Sequence, residues 1–282
     1  MLMLGVYYFV FTNLFNLKLP SDFAMRLGAV LLEGGAALGD GAAAIEPAAR
    51  AALEKEAESL GGTFNVLLLC AGLLPWLMTA EFVVRSVGIV IENGGLVKKV
   101  RFPSELLPIS LLASYLFNLL VLTVIFCAIT WSFTPFQSNL WWMFFPVALL
   151  HGIFILGIAY ILATINVFVR DVQQLVPLVI NIWFFMTPIV YIREQLVASS
   201  SMRSLTVIFD WNPMAHLVEI YRWILIFPEE IRYTLGENGE QVFITTATIW
   251  KEIGIFAAIA FGVFFVGYKT FMAQKHKFAD EI

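Results

Sequence analysis

The chain carries no Asp, Glu, Lys or Arg between Glu105 and Arg170. A membrane-spanning helix needs about 20 apolar residues, because the hydrocarbon core of a bilayer is about 30 Å thick. This uncharged stretch is therefore too long for one span. Proline and polar turn residues interrupt it at Ser132-Phe133-Thr134-Pro135-Phe136-Gln137-Ser138-Asn139. The pattern predicts two spans, at about 105–131 and 141–168.

The rest of the chain has the same apolar character. Hydrophobic residues make up 60% of it and charged residues 13%, whereas soluble domains carry roughly 25% charged residues. Four further apolar stretches predict spans at 1–17, about 63–84, 172–192 and about 250–272. The predicted fold class is all-α: a polytopic membrane protein with six transmembrane helices, formed by residues 1–282 as one transmembrane domain.

The charges of the connections predict an orientation. Basic residues cluster on one side of the predicted bundle: Arg85, Lys98, Lys99, Arg101, Arg170, Lys269, Lys275 and Lys277. By the positive-inside rule that side is cytoplasmic, and both termini lie there. The long, net acidic connections 18–62 and 193–250 then face outward. Trp131, Trp141 and Trp142 flank the outer turn, as interfacial aromatic residues do.

The first outer segment, 22–62, differs in composition from its surroundings. Glycine pairs at Gly34-Gly35 and Gly61-Gly62 bracket a stretch rich in Ala and Glu, and Pro47 can occupy a first helical turn. The segment predicts a small helical hairpin or a mobile insertion. It is either a tolerated loop insertion or an external lid or partner contact.

The second outer segment, 193–250, contains a stretch at 205–227 that is too apolar for a solvated loop. Asn212 can cap a helix and Pro213 fits its first position. His216, Glu219 and Trp223 then recur at helical spacing. This amphipathic segment is too short to cross a membrane alone. It either lies on the outer surface or dips in and returns as a re-entrant helix protected by protein.

Several kinds of chemistry are missing from the sequence. There is no phosphate-binding loop ending in Lys-Ser or Lys-Thr and no His-Glu-x-x-His metal spacing. No basic surface suggests nucleic acid. His151 is expected to be packed or hydrogen-bonded in the fourth span rather than to relay protons. Cys70 and Cys127 are expected to be small core residues. No cofactor is predicted in this chain.

Motifs in a fixed order between the spans carry a resemblance to a known family. They are Val6-Tyr7-Tyr8-Phe9-Val10-Phe11, Gly72-Leu73-Leu74-Pro75-Trp76, Glu81 with Arg85-Ser86, Ile91-Glu92-Asn93, Leu96-Val97-Lys98-Lys99-Val100-Arg101-Phe102-Pro103, Glu105-Leu106-Leu107-Pro108, Asn166-Val167-Phe168-Val169-Arg170-Asp171-Val172, Thr187-Pro188-Ile189-Val190-Tyr191, and Asn212-Pro213-Met214 through Tyr221-Arg222. The chain resembles the ABC-2 type permeases that export lipid-linked polysaccharides: O-antigen, capsule and teichoic acid transporters.

The resemblance implies a permease that works as a homodimer with two separate ATP-binding subunits, which bind ATP and Mg. It implies export of a lipid-linked glycan across the bacterial plasma (inner) membrane, among membrane lipids and without nucleic acid. The alternative cargo is a drug, a lipid or another small hydrophobic molecule. A membrane glycosyltransferase would need paired acidic residues in a cytoplasmic loop, and a structural scaffold would not need the basic loop.

The resemblance also implies site residues. The 86–103 loop is expected to form a short coupling helix that docks into an ATPase cleft. Ile89, Val90 and Leu96 offer apolar contacts. The charged coupling residues are Glu92, Lys98, Lys99, Arg101, Arg170 and Asp171. The outer gate residues are Asn212, His216, Glu219 and Arg222. The residues lining the substrate path are Tyr7, Tyr8, Tyr160, Trp183 and Phe184.

Each of these roles has a simpler alternative. Lys98, Lys99 and Arg101 can set topology and contact lipid headgroups, and Arg170-Asp171 can cap helix ends. The aromatic residues can pack in the core or face lipid. Relatives in this family begin with a basic amphipathic helix, whereas the first predicted span here starts at Met1. If Met1 is the true start, the 86–103 loop is expected to carry more of the ATPase contact than it does in relatives.

Overall fold

The computed structural model describes residues 47–99, 103–133, 138–189, 211–226, 233–235, 241–243 and 246–281. The helices are α1 (Pro47–Val87), α2 (Ile89–Glu92), α3 (Gly94–Lys99), α4 (Leu106–Phe133), α5 (Phe144–Phe168), α6 (Val172–Met186), α7 (Pro213–Leu225), α8 (Thr246–Gln274) and α9 (Phe278–Glu281). Turns of 3₁₀ helix occupy Trp141–Met143 and Lys275–Lys277. Strands β1 (Tyr233–Leu235) and β2 (Gln241–Phe243) pair antiparallel, with Tyr233 opposite Phe243.

Among the described residues, four helical segments are long and apolar enough to cross a membrane. They are Val66–Val87, Leu106–Ser132, Trp141–Phe168 and Ile249–Lys277, and each matches a predicted span to within a few residues. The chain is therefore a multi-pass helical membrane protein. The predicted span 1–17 lies outside the described residues.

The predicted span 172–192 corresponds to a shorter element than expected. Helix α6 has 15 residues and ends at Met186. At 1.5 Å per residue it is about 22 Å long, which falls short of a hydrocarbon core. The chain leaves the helix at Thr187, whose φ and ψ are extended. Pro188 favours this exit, because a residue before proline avoids the helical region.

Helix α1 begins earlier than the second predicted span. Pro47 is its first residue, as predicted, but the helix then continues through Gly61-Gly62 without a break. Each glycine inside a helix costs about 1 kcal/mol relative to alanine. That cost is small for a helix whose backbone hydrogen bonds continue on both sides. Residues 47–62 are thus continuous with the span, and the remainder of the 22–62 insertion lies outside the described residues.

The closest approach of two helices in the bundle is between α5 and α8. A Cβ atom on Gly157 would lie 2.6 Å from the backbone N and Cα of Phe264. A Cβ atom on Gly267 would lie 2.2 Å from the carbonyl oxygen of Gly157. The two backbones can touch because both crossing residues lack a side chain, as is common between membrane helices.

The two ends of the bundle differ in composition. Arg85, Lys98, Arg170 and Lys275 lie together at what we call the basic end, where α1, α5 and α8 finish and α4 begins. At the opposite end, the tryptophan end, α4 finishes and α5 begins. There Trp131 packs edge-on against Trp141, with ring centroids 6.2 Å apart. The expected separation of basic and tryptophan residues is therefore present in three dimensions.

Candidate functional site: the basic end and helix α7

The predicted coupling loop 86–103 forms two short helices at the basic end. The chain turns at Gly88 after α1 and enters α2, which closes with a bond from Asn93 Nδ2 to the carbonyl of Ile89, 2.8 Å long. Arg85 Nη2 lies 3.4 Å from Glu92 Oε2, in an exposed pair. Such pairs contribute only about 0–1 kcal/mol. Glu92 is thus linked to α1 across the turn.

The side chains of this loop divide between the bundle and the surface. Ile89 and Val90 are buried inside the subunit, so the expectation that they offer contacts to a partner is wrong. Leu96 and Lys98 are exposed on α3. The side chain of Lys99 and all of Arg101 lie outside the described residues.

Arg170 and Asp171 form the turn between α5 and α6, and both are exposed. Asp171 occupies the N-cap position of α6, but its side chain makes no capping hydrogen bond. Asp171 therefore occupies the capping position, as the simpler alternative expects, but without a side-chain hydrogen bond. Its carboxylate still lies at the N-terminus of α6, where negative charge is favoured.

The segment after α8 folds back under the basic end. Lys275 Nζ lies 3.4 Å from Glu105 Oε1 at the start of α4. Phe278 is fully buried and packs edge-on against Phe271, with centroids 5.1 Å apart. Helix α9 also contacts α3. Sequence reasoning missed this arrangement, although an isolated Phe in a charged tail is a weak signal for docking.

Helix α7 begins with the cap that the sequence predicts. Asn212 Oδ1 accepts hydrogen bonds from the backbone N–H of Met214 at 3.0 Å and from Trp183 Nε1 at 2.9 Å. Asn212 Nδ2 donates to the carbonyl of Met186 at 3.1 Å and to Thr187 Oγ1 at 3.0 Å. A single amide therefore starts α7 and fastens it to the end of α6.

The other predicted gate residues connect α7 to further helices or to itself. His216 Nδ1 contacts Glu252 of α8. Trp223 Nε1 donates to Glu219 Oε1 at 2.9 Å, one turn away on the same helix. Arg222 is 2% exposed. Its Nε donates to the carbonyl of Leu68 on α1 at 3.2 Å, and its Nη2 donates to the carbonyl of Ile189. These carbonyls offset the cost of burying a guanidinium.

Helix α7 runs from the middle of the bundle to the tryptophan end. Near its start, Met214 Sδ lies 3.7 Å from Thr79 Oγ1, and the same hydroxyl is 2.7 Å from His151 Nε2. At its far end, the carbonyl of Trp223 accepts a bond from Ser138 Oγ at 3.1 Å, beside the tryptophans. His151 is fully buried and hydrogen-bonded, as predicted.

The predicted path residues occupy different environments. Tyr160 is 1% exposed and donates from its hydroxyl to the carbonyl of Glu105 at 3.0 Å, so within one subunit it is a packing residue. Phe184 is also buried, and its ring centroid lies 5.5 Å from that of Trp76. Trp183 is half-buried, and its ring centroid lies 5.8 Å from that of Trp76. Tyr7 and Tyr8 lie outside the described residues.

Two aromatic side chains that the sequence analysis did not select are far more exposed. Phe185 is 74% exposed on α6, and Trp211 is 82% exposed beside the α7 cap. Both adjoin predicted site residues along the chain. Helical phase was the available signal, because on α6 the buried residues Val176, Ile180 and Phe184 define the opposite face.

A bundle of apolar helices with paired short helices at one end defines a polytopic membrane protein. The family model of the ABC-2 type transporter matches residues 1–226. The chain belongs to this ABC-2 type transporter family.

Three curated relatives carry the same name, O-antigen export system permease protein RfbA. One from Myxococcus xanthus is 32% identical over 153 residues, covering 54% of this chain and 58% of the relative. One from Klebsiella pneumoniae is 27% identical over 217 residues, which cover 76% of this chain and 74% of that relative. Another from Klebsiella pneumoniae is 28% identical over 159 residues, which cover 55% of this chain and 59% of that relative. The first match thus spans little more than half of that relative.

Proposed function

We propose that this chain is the permease subunit of an ATP-driven exporter that moves a lipid-linked polysaccharide across the plasma (inner) membrane. The carrying observation is membership of the ABC-2 type family together with three relatives named as O-antigen export permeases. The sequence has no P-loop. ATP and Mg would therefore bind to a separate subunit, two of which would pair with a permease dimer.

The surface proposed to receive the ATP-binding subunit is the basic end, facing the cytoplasm. Helix α3 presents Leu96 and Lys98 outward, and Glu92 is exposed at the end of α2. Lys99 and Arg101 continue the basic sequence, and Arg170 and Asp171 lie exposed at the neighbouring turn. Mixed charge around an apolar side chain suits a wet, reversible protein contact.

Helix α7 is proposed to close the outer end of the path. Its course from the middle of the bundle to the tryptophan end fits a re-entrant helix, whose polar groups must be satisfied by protein. Asn212, His216 and Arg222 supply three such links, to α6, α8 and α1 respectively. Glu219 orients the indole of Trp223. These residues would hold the outer gate in position.

The substrate path is proposed to run along the exposed side of α6. Sugar rings present apolar C–H faces, which pack well on aromatic side chains. Of the predicted path residues that the structure describes, Trp183 is the one left partly open, and Phe185 and Trp211 add exposed rings on α6 and beside the α7 cap. A second copy of the chain would enclose this face in a homodimer.

The test is co-expression of the chain with a P-loop ATPase that carries a carbohydrate-binding extension. We expect the two proteins to co-purify and ATP hydrolysis to rise when lipid-linked glycan is added. Replacing Lys98, Lys99 and Arg101 together by Ala should abolish that stimulation. The control is Lys251→Ala, an exposed lysine on α8 at the other end of the bundle. Unchanged stimulation in the triple variant would refute the docking site.

The same assay separates the two cargo classes. Stimulation by a drug or a simple lipid, with no response to glycan, would favour the alternative in which the permease exports a small hydrophobic molecule.

A further inference from the structure

The two loops at the basic end meet at Gly88, where α1 turns into α2. Asn166, in the last turn of α5, is fully buried, and its Nδ2 donates to the carbonyl of Val87 at 3.1 Å. Val87 is the last residue of α1. Its carbonyl is one of those that a helix leaves without an internal partner. A side chain of α5 therefore completes the end of α1.

Gly88 leaves room for the start of α6 to lie against this turn. Its φ of −84° and ψ of −6° are ordinary helical values, so the backbone conformation does not require glycine. A Cβ atom would lie 3.0 Å from Glu92 Oε1 and 3.3 Å from Gln173 Nε2, so these two side-chain ends would have to shift by a few tenths of an ångström. Gln173 belongs to the first turn of α6, and Glu92 pairs with Arg85 of α1.

These contacts bring four helices together: α1, α2, α5 and α6. Asn166 brings α5 to the end of α1, Gln173 brings α6 to Gly88, and α2 contacts α5 directly. Asn166 Oδ1 has no hydrogen-bond partner among the described residues. A buried unpaired acceptor costs about 1–3 kcal/mol. An apolar side chain would avoid that cost, so packing alone does not explain an amide here.

We propose that Asn166 and Gly88 form the junction through which a displacement of α2 and α3 reaches both α1 and the α5–α6 pair. Asn166 is a positioning residue in this scheme: its bond to Val87 makes α5 follow α1. Without the bond, α5 follows the coupling helices only through its packing against α2, and the hydrogen-bonded link to α1 is lost. This inference rests on the proposed function, in which α2 and α3 meet the ATP-binding subunit.

The experiment uses the full chain with its ATP-binding subunit in proteoliposomes, and measures glycan exported per ATP hydrolysed. Asn166→Leu removes the donor with the same number of side-chain heavy atoms, and Asn166→Asp replaces the donor by an acceptor at the same shape. We expect both variants to assemble and hydrolyse ATP while export per ATP falls at least threefold. Gly88→Val, which pushes Gln173 away, should do the same.

Two controls separate coupling from general damage. Thr164→Val removes a buried hydroxyl two residues earlier on α5, whose only described bond is local, to the carbonyl of Tyr160 at 2.7 Å. Gly262→Val adds the same bulk as Gly88→Val, at a glycine of α8 with no other atom within 4 Å. Neither control should change the export ratio.

Wild-type export per ATP in Asn166→Leu and Gly88→Val would overturn the proposal. A parallel loss of assembly, hydrolysis and export, matched by Thr164→Val, would overturn it as well, because it would make Asn166 purely structural. If Asn166→Leu does not reach the membrane, Gly88→Val and Asn166→Asp decide the question. Failure of the wild-type chain to bind or stimulate the ATPase would instead refute the proposed function.

Discussion

At the residue scale, Arg222 is a tightly held side chain. Its guanidinium is buried and binds carbonyl groups of α1 and of the segment after α6. This position exists because Gly72 of α1 lies opposite: a Cβ atom there would be 3.2 Å from Arg222 Nη2 and 3.2 Å from Val218 Cγ1. The guanidinium of Arg222 fits against α1 because residue 72 is a glycine and has no side chain.

We expect Gly72→Ala to destabilise the protein by about 1–3 kcal/mol, the usual cost of overpacking. The guanidinium cannot yield, since its hydrogen bonds to backbone carbonyls hold it in place. Thermal unfolding in detergent measures the change. Gly254→Ala is the matched control, because its new methyl group would meet no atom within 4 Å. Equal stability of the two variants would show that Arg222 can move aside.

At the element scale, the pairing of α5 with α8 organises the bundle. The two helices touch through backbone atoms at Gly157 and Gly267. On either side, Phe154 packs on Phe256 at 5.4 Å, and Tyr160 packs on Phe271 at 5.0 Å between centroids. Aromatic side chains therefore fill the space that opens as the helices diverge from their crossing point.

Gly267→Ala should separate α5 from α8, because the new methyl group would lie 2.2 Å from the carbonyl oxygen of Gly157. Backbone atoms on both sides leave no flexible group to move. We expect a loss of at least about 1–3 kcal/mol in the free energy of unfolding, and lower yield of folded protein. Gly262→Ala, five residues earlier on α8, is the control. A variant as stable as this control would contradict the close crossing.

At the scale of the whole molecule, the basic and tryptophan ends distinguish the two faces of the bundle. Basic residues concentrate in the short connections of one end, and by the positive-inside rule we propose that this end faces the cytoplasm. The lipid-facing surface is supplied largely by α4 and α8, which carry many exposed large apolar side chains, including Phe117 and Phe265. In water such a surface would drive aggregation.

Labelling of single cysteines by an impermeant maleimide tests this orientation. In a background with Cys70 and Cys127 replaced by Ala, we expect Lys98→Cys to react only when the cytoplasmic face is accessible. Asn139→Cys, exposed at the tryptophan end, should react from the outside of intact cells. The reverse labelling pattern would invert the proposed topology, and with it the docking face for the ATP-binding subunit.

Local patterns predicted much of the fold and part of the site. The spans at α1, α4, α5 and α8 follow from apolar length, and the start of α7 follows from Asn212-Pro213. The partners of Asn212 on α6, or of Arg222 on α1, could not be predicted, because they are separated by many residues and meet only after the helices pack. The same limit hid Glu252 as the partner of His216.

Some local signals were outweighed by their context. Gly61-Gly62 predicts an interruption, yet α1 continues through it, since two glycine penalties are small beside the hydrogen bonding of a long helix. In contrast, the apolar stretch 172–192 predicts one span, yet its helix ends at Met186. Pro188 directly disfavours the helical conformation of Thr187 before it. Hydrophobicity indicates only that a segment prefers apolar surroundings, not where its helix ends.

By itself the sequence determined that this chain spans a membrane repeatedly and which ends of its helices lie together. Burial of apolar side chains in lipid and the need to satisfy every backbone group leave few alternatives to a helical bundle. Only the tertiary structure decided how deep α7 lies, which polar groups hold it, and that Asn166 joins the two loops of the basic end. Such contacts depend on the shapes of the packed helices and on the distances between them. The composition and periodicity of the sequence do not encode these.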